Sequence, residues 1–342
     1  MQALLLVLRN HLFKIFYAGV GVILAAGTIL TGRHVLPETD ERLYEDALSI
    51  GVEMDVLGFQ GYRPEKYKVR IFDGTYDFVL YNGSITREDA AFPALAATAQ
   101  EVDGEMQVIV PVYDSLKNLI DIVDTAEGAA HGETSFQTGL YTGEDHVATI
   151  WHELFHAWQS DHGFDEALAV WKPDAGIVYD HTTEPEEDAP RYSAERIIVD
   201  EVDANAQCRR LFEEEIRLMR DAYFFSQDEE EFREKVQEAV SLMEKRRKLL
   251  SDEALFAERY LCTIEGMARY AESFAYRAVT DDLSWEARYL CPFEYTNGSG
   301  KYYEEGMWIC LLLDRLTPGW QKDYSVSDLY ELVSAAVSSS AD

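Results

Sequence analysis

Two histidines with a glutamate beside the first are the residues of this chain whose spacing points most directly to chemistry. They lie in the run Trp151–His156, where His152 and His156 stand four positions apart and Glu153 directly follows His152. On a helix, positions i and i+4 lie on one face, so both imidazoles can reach the same ion. The pattern predicts a zinc (Zn2+) site in which His152 and His156 bind the metal and Glu153 acts on a metal-activated water.

A catalytic zinc also needs a third protein ligand, and His162 is one candidate. It lies ten residues after His152, which is the spacing of the metzincin pattern H-E-x-x-H-x-x-G-x-x-H. That pattern uses glycine to turn the chain sharply, whereas this sequence has Gln159 at the same position. If the helix simply continues, His162 lies about 9 Å beyond His156 along the axis, too far to share an ion. The spacing therefore disfavours His162.

Two glutamates are stronger candidates for the third ligand. Glu201 lies in an amphipathic helical segment, and Ala204 and Ala206 would permit close packing against the motif helix. Glu265 is followed by Gly266 in a helical context, where glycine costs about 1 kcal/mol relative to alanine. That cost suggests that another group approaches the backbone beside Glu265. The sequence favours Glu265, with Glu201 as the alternative third ligand.

Two further segments resemble motifs of the gluzincin metallopeptidases, the peptidase MA-like group of H-E-x-x-H zinc enzymes. Residues 265–272, which read E-G-M-A-R-Y-A-E, are similar to the E-G-x-A-x-Y-x-E helix of the M1 aminopeptidase type. Residues 303–306, which read Y-E-E-G, look like the Y-E-K-G motif of those enzymes, with Glu305 in place of lysine. The resemblance implies that His152, His156 and Glu265 bind zinc. It also implies that Glu153 is the general base and that Tyr303 stabilises the oxyanion.

The chain departs from that family in two further respects. It lacks the G-x-M-E-N motif of the exopeptidases, and the interval between the histidine motif and Glu265 is far longer than in those enzymes. A helical hairpin over residues 192–250 is therefore expected to be an insertion, unless Glu201 is the ligand and Glu265 supports it. Tyr302, next to Tyr303, is a second source of a phenolic O–H for the oxyanion.

The elements around these residues predict an α+β fold. Residues 34–145 are expected to form a mixed α/β unit with a small sheet, because strand-like runs at 67–72, 77–82 and 105–112 are separated by Gly and Asn turns. Residues 146–342 are expected to form a mainly helical, zincin-like portion that opens on the motif helix. The expected helices after it cover 192–223, 228–249, 252–278, 302–316 and 325–339. Residues 131–141 are the candidate for an edge strand beside the site.

The N-terminus carries a segment of a different kind. Arg9 and Lys14 precede an uncharged apolar run over 15–32, which is long enough to cross a bilayer. Residues 1–33 are expected to be a signal peptide or a single membrane anchor, with a transmembrane helix if the segment is not cleaved. Positive charge before the run predicts that the remainder is exported, so the catalytic part would be extracytoplasmic in a membrane-anchored or secreted protein.

The net charge limits the classes of binding partner, and the cysteine spacing limits the kinds of metal site and disulfide. The net charge of −33 argues against nucleic-acid binding and favours solubility, cationic substrates or divalent cations. The four cysteines show no C-x-x-C spacing, which argues against a zinc knuckle and allows one or two disulfides after export.

These features predict an exported zinc-dependent metallopeptidase that hydrolyses bonds in a peptide or protein substrate. In that interpretation Glu153 takes a proton from the metal-activated water and passes it to the leaving amine. The alternative is an exported, acidic and catalytically silent binding protein, whose His-Glu helix is structural or binds metal without turnover.

Overall fold

The computed structural model describes residues 35–131, 141–171, 194–291, 295–324 and 327–338. The expected α+β fold is confirmed, because the chain is 67% helical and has a small mixed sheet of five strands in its N-terminal part, followed by helices. Tertiary contacts group the described residues into unit 1, made of residues 35–53 and 63–157, and unit 2, made of residues 54–62 and those from 158 onward. The boundary expected from the sequence lies after residue 145.

The sheet of unit 1 is built on a parallel pair of buried strands. Its strands are β1 (Lys68–Phe72), β2 (Tyr76–Tyr81), β3 (Ser84–Asp89), β4 (Thr98–Val102) and β5 (Glu105–Pro111), in the order β3-β2-β1-β5-β4. Strands β1 and β5 run parallel, and the other neighbouring pairs run antiparallel. Strands covered on both faces read as nearly continuous apolar runs, which is why β1, β2 and β5 were expected from the sequence.

No hydrophobic pattern predicts the two edge strands. All residues of β3 are exposed, so no alternation marks it. It forms because Asn82 and Gly83 adopt positive φ angles of 51° and 72°, which make the tight turn back from β2. Asp103 and Gly104, with φ angles of 54° and 80°, do the same between β4 and β5. Turn chemistry therefore sets both edges of the sheet.

Unit 1 contains three α-helices and the start of the motif helix. These are α1 (Glu38–Ser49), α2 (Gly51–Met54), α3 (Tyr113–His131) and the motif helix α4 (Gly143–Asp161). Helix α4 starts at a reciprocal cap, in which the Thr142 N–H donates to Asp145 Oδ2 at 2.9 Å and the Asp145 N–H donates to the Thr142 hydroxyl at 3.3 Å. The Trp151 indole N–H donates to the Ala47 carbonyl at 3.0 Å and so fixes α4 against α1.

The described part of unit 2 consists of helices. They are α5 (Phe164–Trp171), α6 (Ala194–Ile197), α7 (Ala206–Phe225), α8 (Glu229–Arg247), α9 (Asp252–Tyr260), α10 (Gly266–Val279), α11 (Asp282–Tyr289), α12 (Gly300–Leu316) and α13 (Leu329–Ser338). A π-turn over Ile198–Asp203 follows α6, and a second over Leu261–Glu265 joins α9 to α10. The helix expected over 192–223 is interrupted at Asn205, whose side chain caps α7 by accepting from two backbone N–H groups.

Two expectations from the sequence are corrected. No helix in the described part of the chain is long and apolar enough to cross a membrane, so the transmembrane helix is not found there. The apolar run over 15–32 that prompted it lies outside the described residues, as does nearly all of the edge strand expected over 131–141. Disulfides are not formed either, because all four cysteines are free thiols, namely Cys208, Cys262, Cys291 and Cys310.

A buried histidine on α4, His146, precedes the motif. It is 0% exposed, its Nδ1 lies 3.2 Å from the Tyr141 hydroxyl oxygen, and its Nε2 has no hydrogen-bond partner among the described residues. Burial disfavours the charged imidazolium, and it lowers the pKa of His146 to about 4.

We expect acid to destabilise the fold through His146. The unfolded chain gains a proton near pH 6.5, whereas folded His146 stays neutral down to about pH 4, so the free energy of unfolding falls as pH drops through that window. The loss reaches about 3 kcal/mol. The measurement is urea unfolding of the unaltered protein and of His146→Phe, near pH 7 and near pH 4.5. At the lower pH, His146→Phe should gain stability relative to the unaltered protein, since all other groups titrate alike in the two proteins. Parallel pH profiles would contradict the prediction.

Candidate metal centre

The two motif histidines converge on one point. Their Nε2 atoms lie 3.0 Å apart, with ring centroids 4.7 Å apart and ring planes at 78°. A tetrahedral zinc with Zn–N bonds of 2.0–2.1 Å separates two ligating nitrogens by about 3.3 Å. Both side chains of this pair, His152 and His156, are partly exposed. Helix geometry alone thus brings two imidazole nitrogens close to the separation that a shared metal ion requires.

Glu265 completes a group of three donors. Within the described residues, His152, His156 and Glu265 form the group of His, Cys, Asp and Glu side chains that has metal-site spacing, with one ligand atom from each lying within 4.8 Å of the others. All three are partly buried. The structure therefore brings together both histidines and the favoured one of the two candidate glutamates.

A π-turn carries Glu265. The N–H of Gly266 donates to the carbonyl of Leu261, five residues back, so the helix between α9 and α10 contains one residue more than an α-helical turn. The extra residue changes the direction in which the side chains on either side of it project. Glu265 is the last residue of that turn, directly before α10 begins.

Two glycines bring the π-turn against α12. A Cβ atom on Gly266 would lie 2.5 Å from Gly306 Cα, and a Cβ atom on Gly306 would lie 2.1 Å from the Cys262 carbonyl oxygen. Real Cβ contacts essentially never fall below 3.0 Å. The expectation that another group approaches the backbone beside Glu265 is confirmed, and the approaching group is the backbone of α12. The glycines of the two motif-like segments are thus in direct contact.

The other two candidates for the third ligand, His162 and Glu201, contact other groups. His162 is exposed, its Nδ1 lies 2.7 Å from the Trp158 carbonyl oxygen, and its ring stacks on the Trp158 indole at 4.4 Å between centroids. Glu201 accepts from the Ser251 hydroxyl at 2.9 Å and from the Ser251 N–H at 3.3 Å. A carboxylate in that position stabilises the start of α9, because helix N-termini carry partial positive charge.

The two tyrosines considered for the oxyanion differ in environment. Tyr302 is 0% exposed and donates its hydroxyl to Glu258 Oε1 at 2.5 Å, and burial raises its pKa well above the usual value. Tyr302 is therefore engaged in the core of unit 2. Tyr303 is half-buried and lies three residues before Gly306 on α12, on the helix face that meets the π-turn. The assignment of Tyr303 to the oxyanion stays a prediction.

Glu305, at the position where the resembled motif has lysine, lies in a buried ionic cluster. Arg246 of α8 pairs with Glu305 at 2.9 Å, with Glu215 of α7 at 2.7 Å and also with Glu258 of α9. All four side chains are fully buried. Tyr330 adds a hydroxyl that donates to Glu305 Oε2 at 2.7 Å. The hairpin α7–α8 thus supplies the cation for a carboxylate next to Gly306.

The cluster places three carboxyl groups around one guanidinium, and burial acts on the pKa values of Glu215, Glu305 and Arg246. Burial raises the pKa of Glu215 well above its usual value, and burial also raises the pKa of Glu305. Burial acts to lower the pKa of Arg246, but the attraction of the surrounding carboxylates outweighs it and raises that pKa. Arg246 therefore remains charged, and burial favours the protonated forms of Glu215 and Glu305.

Gly306→Ala should destabilise unit 2 by about 3 kcal/mol or more, because the new methyl group meets backbone atoms that cannot rotate away. The matched control is Gly300→Ala on the same helix, where a Cβ would meet nothing within 4 Å. That change should be neutral or stabilising by up to about 1 kcal/mol. Urea unfolding followed by circular dichroism measures both; equal effects of the two substitutions would refute the backbone contact.

Arg246→Met should cost about 3–5 kcal/mol of unfolding free energy, because it leaves buried carboxyls without their cation. The control is Arg217→Met on α7, whose side chain is 55% exposed and pairs at the surface with Asp221. Its loss should stay within about 0.5 kcal/mol. Thermal and urea unfolding measure the pair of variants, and a mild effect of Arg246→Met would mean that the cluster contributes little to the fold.

Comparisons with protein-family models, with curated proteins and with solved structures found no match.

Proposed function

We propose that this protein is a zinc-dependent hydrolase of peptide bonds, with His152, His156 and Glu265 as the metal ligands. The observation that carries the proposal is the convergence of these three donors within 4.8 Å, although Glu265 lies more than a hundred residues after the histidines. The resemblance to gluzincin motifs supports the same three ligands.

The donor set suits zinc. Two imidazole nitrogens and one carboxylate are a recurrent ligand set of catalytic zinc, which takes three protein ligands and leaves a further position for water or substrate. The 3.0 Å separation of the histidine Nε2 atoms is close to the separation that tetrahedral zinc imposes. When bound there, zinc would supply a Lewis acid and lower the pKa of water toward neutrality.

Glu153 is the residue that we assign to proton transfer. It follows His152 directly on α4 and is 8% exposed, so its side chain is largely shielded from water and starts one residue along the helix from a proposed ligand. A carboxylate so placed takes a proton from the attacking water and later delivers it to the leaving amine. Tyr303 is assigned to donate its phenolic O–H to the negative charge that develops on the carbonyl oxygen.

Glu153→Gln should abolish hydrolysis while zinc binding is retained. The amide keeps the size of the side chain but cannot accept the proton, and loss of a general base typically costs 10²–10⁴-fold in rate. The control is Glu144→Gln at the exposed start of α4, which should leave the rate unchanged. Cleavage of a quenched peptide library and metal analysis of the three proteins are the measurements.

Two outcomes would count against the proposal. Undiminished hydrolysis by Glu153→Gln would exclude Glu153 as the base. Zinc-loaded, folded protein that cleaves no peptide in the library would favour the catalytically silent binding protein, in which the same three donors hold metal without turnover.

A further inference from the structure

A glutamine on the motif helix contacts the backbone that carries the third ligand. Gln159 is 2% exposed, and its side-chain Nε2 donates to the Ile264 carbonyl oxygen at 3.1 Å. The two residues are 105 positions apart in sequence. Ile264 is the residue directly before Glu265, inside the π-turn. A buried polar side chain is thus used to hold this one carbonyl group.

The position of Gln159 on α4 makes that contact relevant to the metal. Gln159 lies three residues after His156, so the two side chains project from the same face of the helix. The Ile264 carbonyl belongs to the peptide unit that continues into the Cα of Glu265. A hydrogen bond to that oxygen therefore restricts where the Glu265 side chain begins, relative to the helix that carries both histidines.

We propose that Gln159 is a positioning residue that presets Glu265 for the metal. The inference rests on the proposed function, since it assumes that His152, His156 and Glu265 bind zinc. Its physical basis is preorganisation, because a ligand already held in place loses less conformational freedom when the ion binds. Groups that orient metal ligands in this way typically contribute 10–100-fold to metal affinity.

The hydrogen bond from Gln159 to the Ile264 carbonyl oxygen determines which substitutions test it. A carboxamide N–H can donate to a carbonyl oxygen, which has two lone pairs and can accept from a side chain as well as from its own helix. Leucine at position 159 would keep the volume and lose the donor. Gln159→Leu therefore removes the bond with little change in packing, and Gln159→Met tests the same bond with an unbranched side chain if the leucine variant does not fold.

A second buried glutamine provides the matched control. Gln321 is 7% exposed, and its Nε2 donates to Asp314 Oδ1 at 2.6 Å and to the Tyr270 hydroxyl at 3.2 Å. Asp314 lies on α12, and Tyr270 lies on α10, five residues after the end of the π-turn. Gln321→Leu thus removes buried amide hydrogen bonds from the same unit without touching the peptide before Glu265. Any effect of general destabilisation should appear in both variants.

The experiment is a double-mutant cycle on zinc affinity, measured by competition with a chromophoric chelator on the full chain. We expect Gln159→Leu to weaken zinc binding 10–100-fold and Gln321→Leu to change it less than about twofold, even if both lower the urea midpoint. In a Glu265→Ala background, whose much weaker zinc affinity is measured with a weaker chelator, Gln159→Leu should add less than about twofold, because the ligand that it positions is gone.

The outcomes separate this inference from the proposed function. Tight zinc binding by the unaltered protein, unchanged in Gln159→Leu or in Gln159→Met, would overturn the role of Gln159 and leave the zinc site standing. The same loss of affinity with and without Glu265 would also overturn it, since Gln159 would then act through something else. Failure of the unaltered, folded protein to bind zinc would overturn the proposed function together with this inference.

Discussion

The contact between Gly266 and Gly306 is the constraint on which the candidate site depends. A side chain on either residue would meet backbone at 2.5 Å or less, so α10 and α12 can pack this closely only without one. The π-turn that ends in Glu265 lies directly before this contact. Because backbone atoms meet here rather than flexible side chains, the carrier of Glu265 has little freedom to shift.

The buried cluster around Arg246 accommodates Glu305, the residue at which the chain differs from the motif that it resembles. Glu305 stands where that motif has lysine, and it pairs with Arg246 of the α7–α8 hairpin. The hairpin also contributes Glu215, and α9 contributes Glu258, so one guanidinium links four helices through groups that are fully buried. The hairpin is therefore part of the core of unit 2 rather than an appended surface element.

The sequence predicted features that depend on neighbouring residues, but it did not predict which residues far apart in the chain contact each other. The spacing of His152 and His156 specifies a shared face because helix geometry is local, and Gly266 signals a close approach without naming the partner. The bond from Gln159 to Ile264 and the pair Arg246–Glu305 join residues 105 and 59 positions apart, and no periodicity selects such partners. The prediction of a transmembrane helix was wrong. It relied on a local apolar pattern, and the described residues contain no helix that is long and apolar enough to cross a membrane.

The central claim is that Glu265, and not Glu201, completes a zinc site with the two histidines. Zinc content after mild chelation and resupply, measured on the unaltered protein, Glu265→Ala and Glu201→Ala, tests it most directly. The account predicts one zinc per chain in the unaltered protein and in Glu201→Ala, and its loss in Glu265→Ala. Absence of zinc from the unaltered, folded protein, or loss confined to Glu201→Ala, would contradict it.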